Sequence, residues 1–180
     1  LQREDAPSAP RAAARLVSAH AAFDLKDYAA AENDYLAWQV EAAVAAPDET
    51  LAASVAERIA ASIYRQGQAA ADAGELDLAV GHFQRIAAVV PASPVAATGQ
   101  HDAAALLFNA RAWTRAAEAY QGFLAGWPGH ALAAEAQVSL AAALVELGDA
   151  ARAAPALAAV SSLPGEPEDV RRAALWQAAE

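Results

Sequence analysis

The chain has no cysteine and no methionine. Without cysteine it forms no disulfide and offers no thiolate to a metal. That absence fits the cytoplasm and is equally compatible with a bacterial periplasm. Basic residues are scarce, 12 against 22 acidic ones, for a net charge of −10. No basic stripe exists to displace counterions from a phosphate backbone, so a nucleic-acid partner is not expected. The same charge disfavours an anionic membrane surface. No hydrophobic run reaches the length of a membrane span without charges, so no membrane insertion is expected. Strand-forming residues never alternate over a useful length. There is no glycine-rich phosphate loop, nucleophile elbow or His-Glu-x-x-His segment. A non-enzyme without cofactor or metal is the expectation.

Alanine is abundant, about a third of the 180 residues. It is the best helix former, and the 9 glycines and 9 prolines fall mainly between helical stretches. An all-α fold follows. The stretch from 74 to 128 says how it is organised. Ala79 and Ala116 are 37 residues apart, as are Phe83 and Tyr120, Ile86 and Phe123, and Pro91 and Pro128. A further copy at the same spacing carries Gly148, Asp149, Ala153, Leu157 and Val160. Self-similarity at such a period means stacked supersecondary units, which spread the core along an array.

Residues 1–10, with Pro7 and Pro10 among charges, read as a frayed lead-in. One domain over 11–180 then divides into repeats of about 11–47, 48–92, 93–129 and 130–165, with a terminal helix over 167–180. Helices are expected over 11–23, 28–46, from 49 or 51 to 73, and over 77–90, 94–110, 114–126, 131–147 and 151–162. Pro47 stops the second, Asp48 or Thr50 caps the third, and Gly74 and Gly148 end the third and seventh. Ser93-Pro94 caps the fifth. Pro155 lies beyond the first turn, so its helix should start late or bend. Tyr35 to Phe83 is 48 residues, eleven more than the period. The excess is Ala, Val, Glu and Leu, and should lengthen the second and third helices by roughly 8 Å each.

These residues resemble the tetratricopeptide repeat. That family has a small residue midway along helix A, Gly at the turn, Ala then an aromatic on helix B, and a closing Pro. Here these are Gly67, Gly74, Ala79, Phe83 and Pro91, then Ala104, Arg111, Ala116, Tyr120 and Pro128, then Ala141, Gly148, Ala153, Leu157 and Pro164. The first copy has Ala19, Lys26, Ala31 and Tyr35, without the closing Pro. The resemblance implies a right-handed α-solenoid of antiparallel helix pairs, about four repeats plus a terminal helix. It places Phe83 and Tyr120 in the interior of their own repeats. The segment 119–136, with Tyr120, Phe123-Leu124, Trp127-Pro128 and an Ala-rich helix, is similar to repeats of bacterial envelope proteins. Those are the Tol–Pal-associated coordinator and the lipoproteins that assemble outer-membrane barrels. That likeness is the one pointer to a periplasmic address.

His20 and Asp24, one helical turn apart, could ligate a metal, but no third ligand is placed, and an exposed polar pair is the plainer reading. His101 and Asp102 face different directions on a helix and make no dyad. The four tryptophans, Trp38, Trp113, Trp127 and Trp176, read as packing residues. In arrays of the resembled kind, helix A lines a concave groove. Helical spacing from Gly67 and its counterparts puts His20, Phe23, Tyr64, Gln68, His101, Phe108, Asn109 and Val138 there. Rings and amides of that sort suit an extended or helical peptide. Tyr64, Gln68 and Asn109 stand where a basic clamp would, which disfavours acidic tails as partners.

The expected function is a non-catalytic scaffold or adaptor that binds a protein or peptide, as part of a longer bacterial protein. The alternative is a helical accessory domain of a cell-envelope enzyme that processes glycan. The terminal helix is either a cap or the first half of a fifth repeat. Its weak outer polarity favours the second reading and self-association there. Leu175 and Trp176 are adjacent, so one is expected to pack toward the preceding helix and the other to lie outside.

Overall fold

A computed structural model describes residues 8–43, 48–163 and 167–178. Among these, all regular structure is helical: α1 (Ser8–Asp24), α2 (Tyr28–Ala42), α3 (Glu49–Asp72), α4 (Leu76–Val89), α5 (Pro94–Asn109), α6 (Trp113–Gly126), α7 (Ala133–Leu147), α8 (Ala150–Ser161) and α9 (Glu168–Ala178). The chain forms two compact units, Leu1–Ala96 and Ala97–Glu180. In the first, α1 packs on α2, α2 on α3, and α3 on α4. In the second, α6 packs on α7, α7 on α8, and α8 on α9. There α5 meets α6 through ring contacts of His101 with Tyr120 and of Phe108 with Trp113.

The same turn joins the helices of each pair. Lys26, Gly74, Arg111 and Gly148 adopt left-handed φ values of 64°, 75°, 58° and 74°. At each turn two amides reach back. Lys26 and Asp27 donate to the carbonyls of Phe23 and Ala22, and Gly148 and Asp149 to those of Val145 and Leu144. Gly74, Glu75, Arg111 and Ala112 make the corresponding bonds. This double bond satisfies the carbonyls a helix end leaves open. Asp27 and Asp149 then cap the next helix, accepting from the amides of Ala30 and Arg152. Arg152 also donates to Asp149 and holds that carboxyl below its ordinary pKa.

Only glycine takes a left-handed φ without a Cβ clash. Gly148→Ala should therefore cost about 1 kcal/mol. Arg111→Gly should be neutral or stabilising by about 0.5 kcal/mol, because relief of the clash exceeds the added chain entropy. Urea midpoints at unchanged slope read both. Equal losses for the two variants would mean that the turns are not equivalent.

The ends of α4 and α6 match as well. Val90 and Trp127 have φ of −135° and −136°. Each precedes a proline, whose ring drives the preceding residue out of the helical region.

The core follows the repeat, at a spacing of 37 residues from the second pair onward and of 48 between the first and second. Ala19, Gly67, Ala104 and Ala141 are buried, as are Ala31, Ala79, Ala116 and Ala153. The large member of each pair, Tyr35, Phe83, Tyr120 or Leu157, is buried too. Phe83 lies against α3, with its ring 5.1 Å from that of Tyr64. Tyr120 lies against α5, with ring centroids 5.9 Å from His101 and 6.4 Å from Phe108. Gln100 and Gln137, 37 apart, donate across their pairs to the carbonyls of Ala119 and Ala156.

Several expectations change. Ser8 to Pro10 belong to α1 and not to a lead-in. Pro10 sits in its first turn, where a missing amide is harmless. Most of the excess residues fall in α3. It has 24 residues, whereas α2 has 15 and α4 has 14. Its stripe of Val55, Ile59 and Ile63 is buried throughout, and Asp48 caps its start, accepting from the Leu51 amide. In α7 the start shifts to Ala133, after a turn in which His130 Nδ1 accepts from the Leu132 amide. α8 starts at Ala150 with Pro155 in its interior, on its exposed face. The stop at Pro47, the closing Pro164 and residues 1–7 lie outside the described residues.

Candidate functional site

The eight expected groove residues separate in the structure. Four lie in the first unit. His20 is exposed, and its Nδ1 lies 2.6 Å from the hydroxyl of buried Tyr35. This bond holds the imidazole against α2, and Asp24 plays no part in it. Phe23 is half-buried edge-on to Tyr28, with the guanidinium of Arg58 5.0 Å above its ring. Such a stack joins α1 to α3 and leaves Arg58 exposed. Gln68 is half-buried and accepts from Arg65 at 2.8 Å. Tyr64 is half-buried and turned onto Phe83, so it belongs partly to the core.

Cations thus reach this face from Arg58 and Arg65, which helical spacing from Gly67 did not include. They stand seven residues apart on α3, two turns along one side. No carboxylate is ion-paired to either among the described residues. The face therefore offers a ring, an amide and two guanidinium groups within a chain of strongly negative charge.

The other four lie in the second unit and do not assemble into such a face. His101 is 6% exposed, enclosed by Tyr120 and Phe123. Neither ring nitrogen has a hydrogen-bond partner, and the Asp102 carboxylate, 3.7 Å away, is beyond hydrogen-bond reach. The expectation that His101 lines a surface is therefore wrong. The periodicity located its helix face, but the rings of α6 close over it. Phe108 is half-buried edge-on to Trp113, Asn109 is exposed at the end of α5, and Val138 lines a cavity of about 340 Å³ between α7, α8 and α9. Trp38 is buried, Trp113 packs on Phe108, Trp127 stacks on Phe123, and Trp176 is exposed.

One polar centre was not anticipated. Glu32 of α2 is 7% exposed. It accepts from Arg85 of α4 at 2.5 and 2.7 Å and from Gln66 of α3 at 2.6 Å. Arg85 also approaches His82 Nδ1 at 3.2 Å. Burial pushes the Glu32 carboxyl up, and the bonds from Arg85 and Gln66 outweigh it, so its pKa lies below the ordinary value. Burial, followed by the Arg85 charge, lowers that of His82. The centre ties three helices together and exposes little that a ligand could reach. A trace of it exists in the sequence: Glu32 precedes Tyr35 by one helical turn and so shares its buried side.

No group of three potential metal ligands occurs among the described residues, and no helix there is long and apolar enough to cross a membrane. No protein-family model matches the chain, and no curated protein matches it.

Proposed function

We propose that the chain is a non-catalytic protein-interaction module, an α-solenoid of tetratricopeptide type. It would hold a partner peptide against the face built from His20, Phe23, Arg58, Arg65 and Gln68. The repeat reading is supported by the recurrence of one left-handed turn at Lys26, Gly74, Arg111 and Gly148. The binding reading rests on the Phe23–Arg58 stack. An aromatic ring whose covering cation keeps open donors suits a peptide that brings an apolar side chain and a carboxylate together. A scaffold of packed helix pairs keeps such a face preorganised, which limits the entropy lost on binding.

Selection of a displayed peptide library on the full chain, followed by calorimetry, tests this. Enriched peptides should lose about tenfold in affinity with Phe23→Ala or with Arg58→Ala. They should keep it with Leu78→Ala, an exposed change on α4. Raised salt should weaken binding. Peptides that bind Phe23→Ala and the parent chain equally would overturn the assignment of this face, and no enrichment at all would overturn the function.

A further inference from the structure

The fourth helix pair lacks the rings that fill the third. In α5 and α6 the side chains of His101, Phe108, Trp113, Tyr120 and Phe123 interlock, with ring centroids 5.1 to 6.4 Å apart. The same positions 37 residues on hold Val138, Val145, Ala150, Leu157 and Val160. Every ring has become an aliphatic side chain, and the space shows it. Val138, Val145, Leu157 and Val160 lie on the wall of the cavity of about 340 Å³ between α7, α8 and α9. Ala150, with Val145 and Leu157, lines a second cavity of about 300 Å³. The last helix does not refill the space. It sets Ala174, 5% exposed, toward α7 and α8, with Val170 and Ala173 on the same wall. Leu175 and Trp176 are 55% and 70% exposed. Neither packs inward as expected, because the α9 position facing the two helices is taken by an alanine.

We propose that the larger cavity is a binding site for a small uncharged aromatic molecule with a hydrogen-bond donor, of the indole or phenol class. Such a molecule restores the ring that the fourth pair lacks. An apolar cavity of about 150 Å³ already takes a benzene ring, and this one is more than twice as large. Its wall is apolar except for Glu146 of α7 and Gln177 of α9. Each has an oxygen that accepts from an O–H or N–H group. Gln177 stands in register with Leu140, which is buried, so α9 brings a polar group where the preceding pair has an apolar one. The Glu146 carboxylate and the net charge of −10 disfavour an anion. A few polar groups on a largely apolar wall are the usual make-up of a small-molecule pocket of this size. Val145 and Ala173 on the wall are exposed, so a ligand enters without separating the helices. The site shares no residue with the Phe23 face and is independent of what that face binds.

Indole serves as the probe, titrated into the full chain and followed by calorimetry and by amide NMR shifts. Binding should saturate at one indole per chain, with the shifts concentrated in α7, α8 and α9. Burial of the ring should give a negative heat-capacity change. Val160→Phe puts back the ring that Phe123 supplies one pair earlier and should weaken binding at least tenfold. Ala173→Leu fills the cavity from an exposed position of α9 and should do the same without touching the core. Leu78→Ala, an exposed change on α4, should leave the affinity unchanged. Benzoate, a single ring with a full negative charge, should bind at least tenfold more weakly than indole. Circular dichroism confirms that each variant is folded, and Ala173→Leu decides if Val160→Phe is not. Equal affinity of the parent and Ala173→Leu for indole would overturn the assignment of the cavity. Benzoate bound as tightly as indole would overturn the ligand class. Absence of saturable binding by the folded parent chain would overturn the proposal and leave the space as a packing fault of the fourth pair.

Discussion

Phe83→Ala should lower the stability of the chain by about 3–5 kcal/mol, the usual cost of emptying an aromatic site in a packed core. Phe83 is 3% exposed, and its ring lies so close to α3 that a Cβ built on Gly67 would sit 2.7 Å from Cε1. The helix backbone and the ring define each other's positions. Phe83→Leu should cost only about 1 kcal/mol, since Leu157 fills the same register position in the fourth pair. The pairing can be probed further. Gly67→Ala alone should cost about 1–2 kcal/mol, because the buried ring must move. On the Phe83→Leu background it should become neutral or stabilising, since alanine favours the helix by about 1 kcal/mol over glycine. The double variant reproduces the Ala141–Leu157 pair of the fourth repeat. Chemical denaturation of the four proteins gives the coupling. Additive losses would mean that Gly67 and Phe83 are not register partners.

The second large effect is expected at the buried ion pair. Removing one partner of such a pair leaves the other charge without compensation. Arg85→Met should therefore cost about 3 kcal/mol at neutral pH, as the carboxylate left behind is almost wholly buried. Glu32→Gln should cost less, about 1–2 kcal/mol, because the Arg85 side chain is 35% exposed and water screens it. The two variants should also differ in acid. In the parent, the Glu32 pKa is lowered on folding. Its stabilisation is therefore complete above the pKa of an unfolded glutamate and is lost as pH falls through the lower, folded value. In Arg85→Met the hydrogen bond and the charge of Arg85 are both lost, so the folded pKa of Glu32 rises relative to the parent. Less stability is then lost in acid, and the deficit relative to the parent should shrink as pH falls. A deficit independent of pH between 3 and 7 would mean that Glu32 is not the group responsible.

The helix pairs were legible in the sequence because each repeats small, large and turn residues at one spacing. Alanine at 79, 116 and 153 and the bulky residue four later mark the buried stripe of each second helix without reference to anything distant. Lys26 and Arg111 could be placed at the turns only by alignment with Gly74 and Gly148, since neither residue type announces a left-handed φ. The length of α3 was misassigned because eleven extra helix formers say nothing about which of two helices they extend. The Glu32–Arg85 contact spans 53 residues between pairs, and periodicity within a pair carries no such information. The site suffered from the same limit. Spacing gave the face of α5 that holds His101, but whether that face is open depends on the rings that α6 brings over it. Arg58 was passed over because its role comes from Phe23 of α1, a neighbour set by tertiary packing.

The most direct measurement is native-state hydrogen exchange on Phe83→Ala compared with the parent chain. In a protein built from successive helix pairs, each stabilised by its own core and its neighbours, damage stays near its origin. Protection should fall strongly in α3 and α4 and remain close to parental in α7 and α8. An equal loss of protection in all helices would contradict the repeat account and show a single cooperative core.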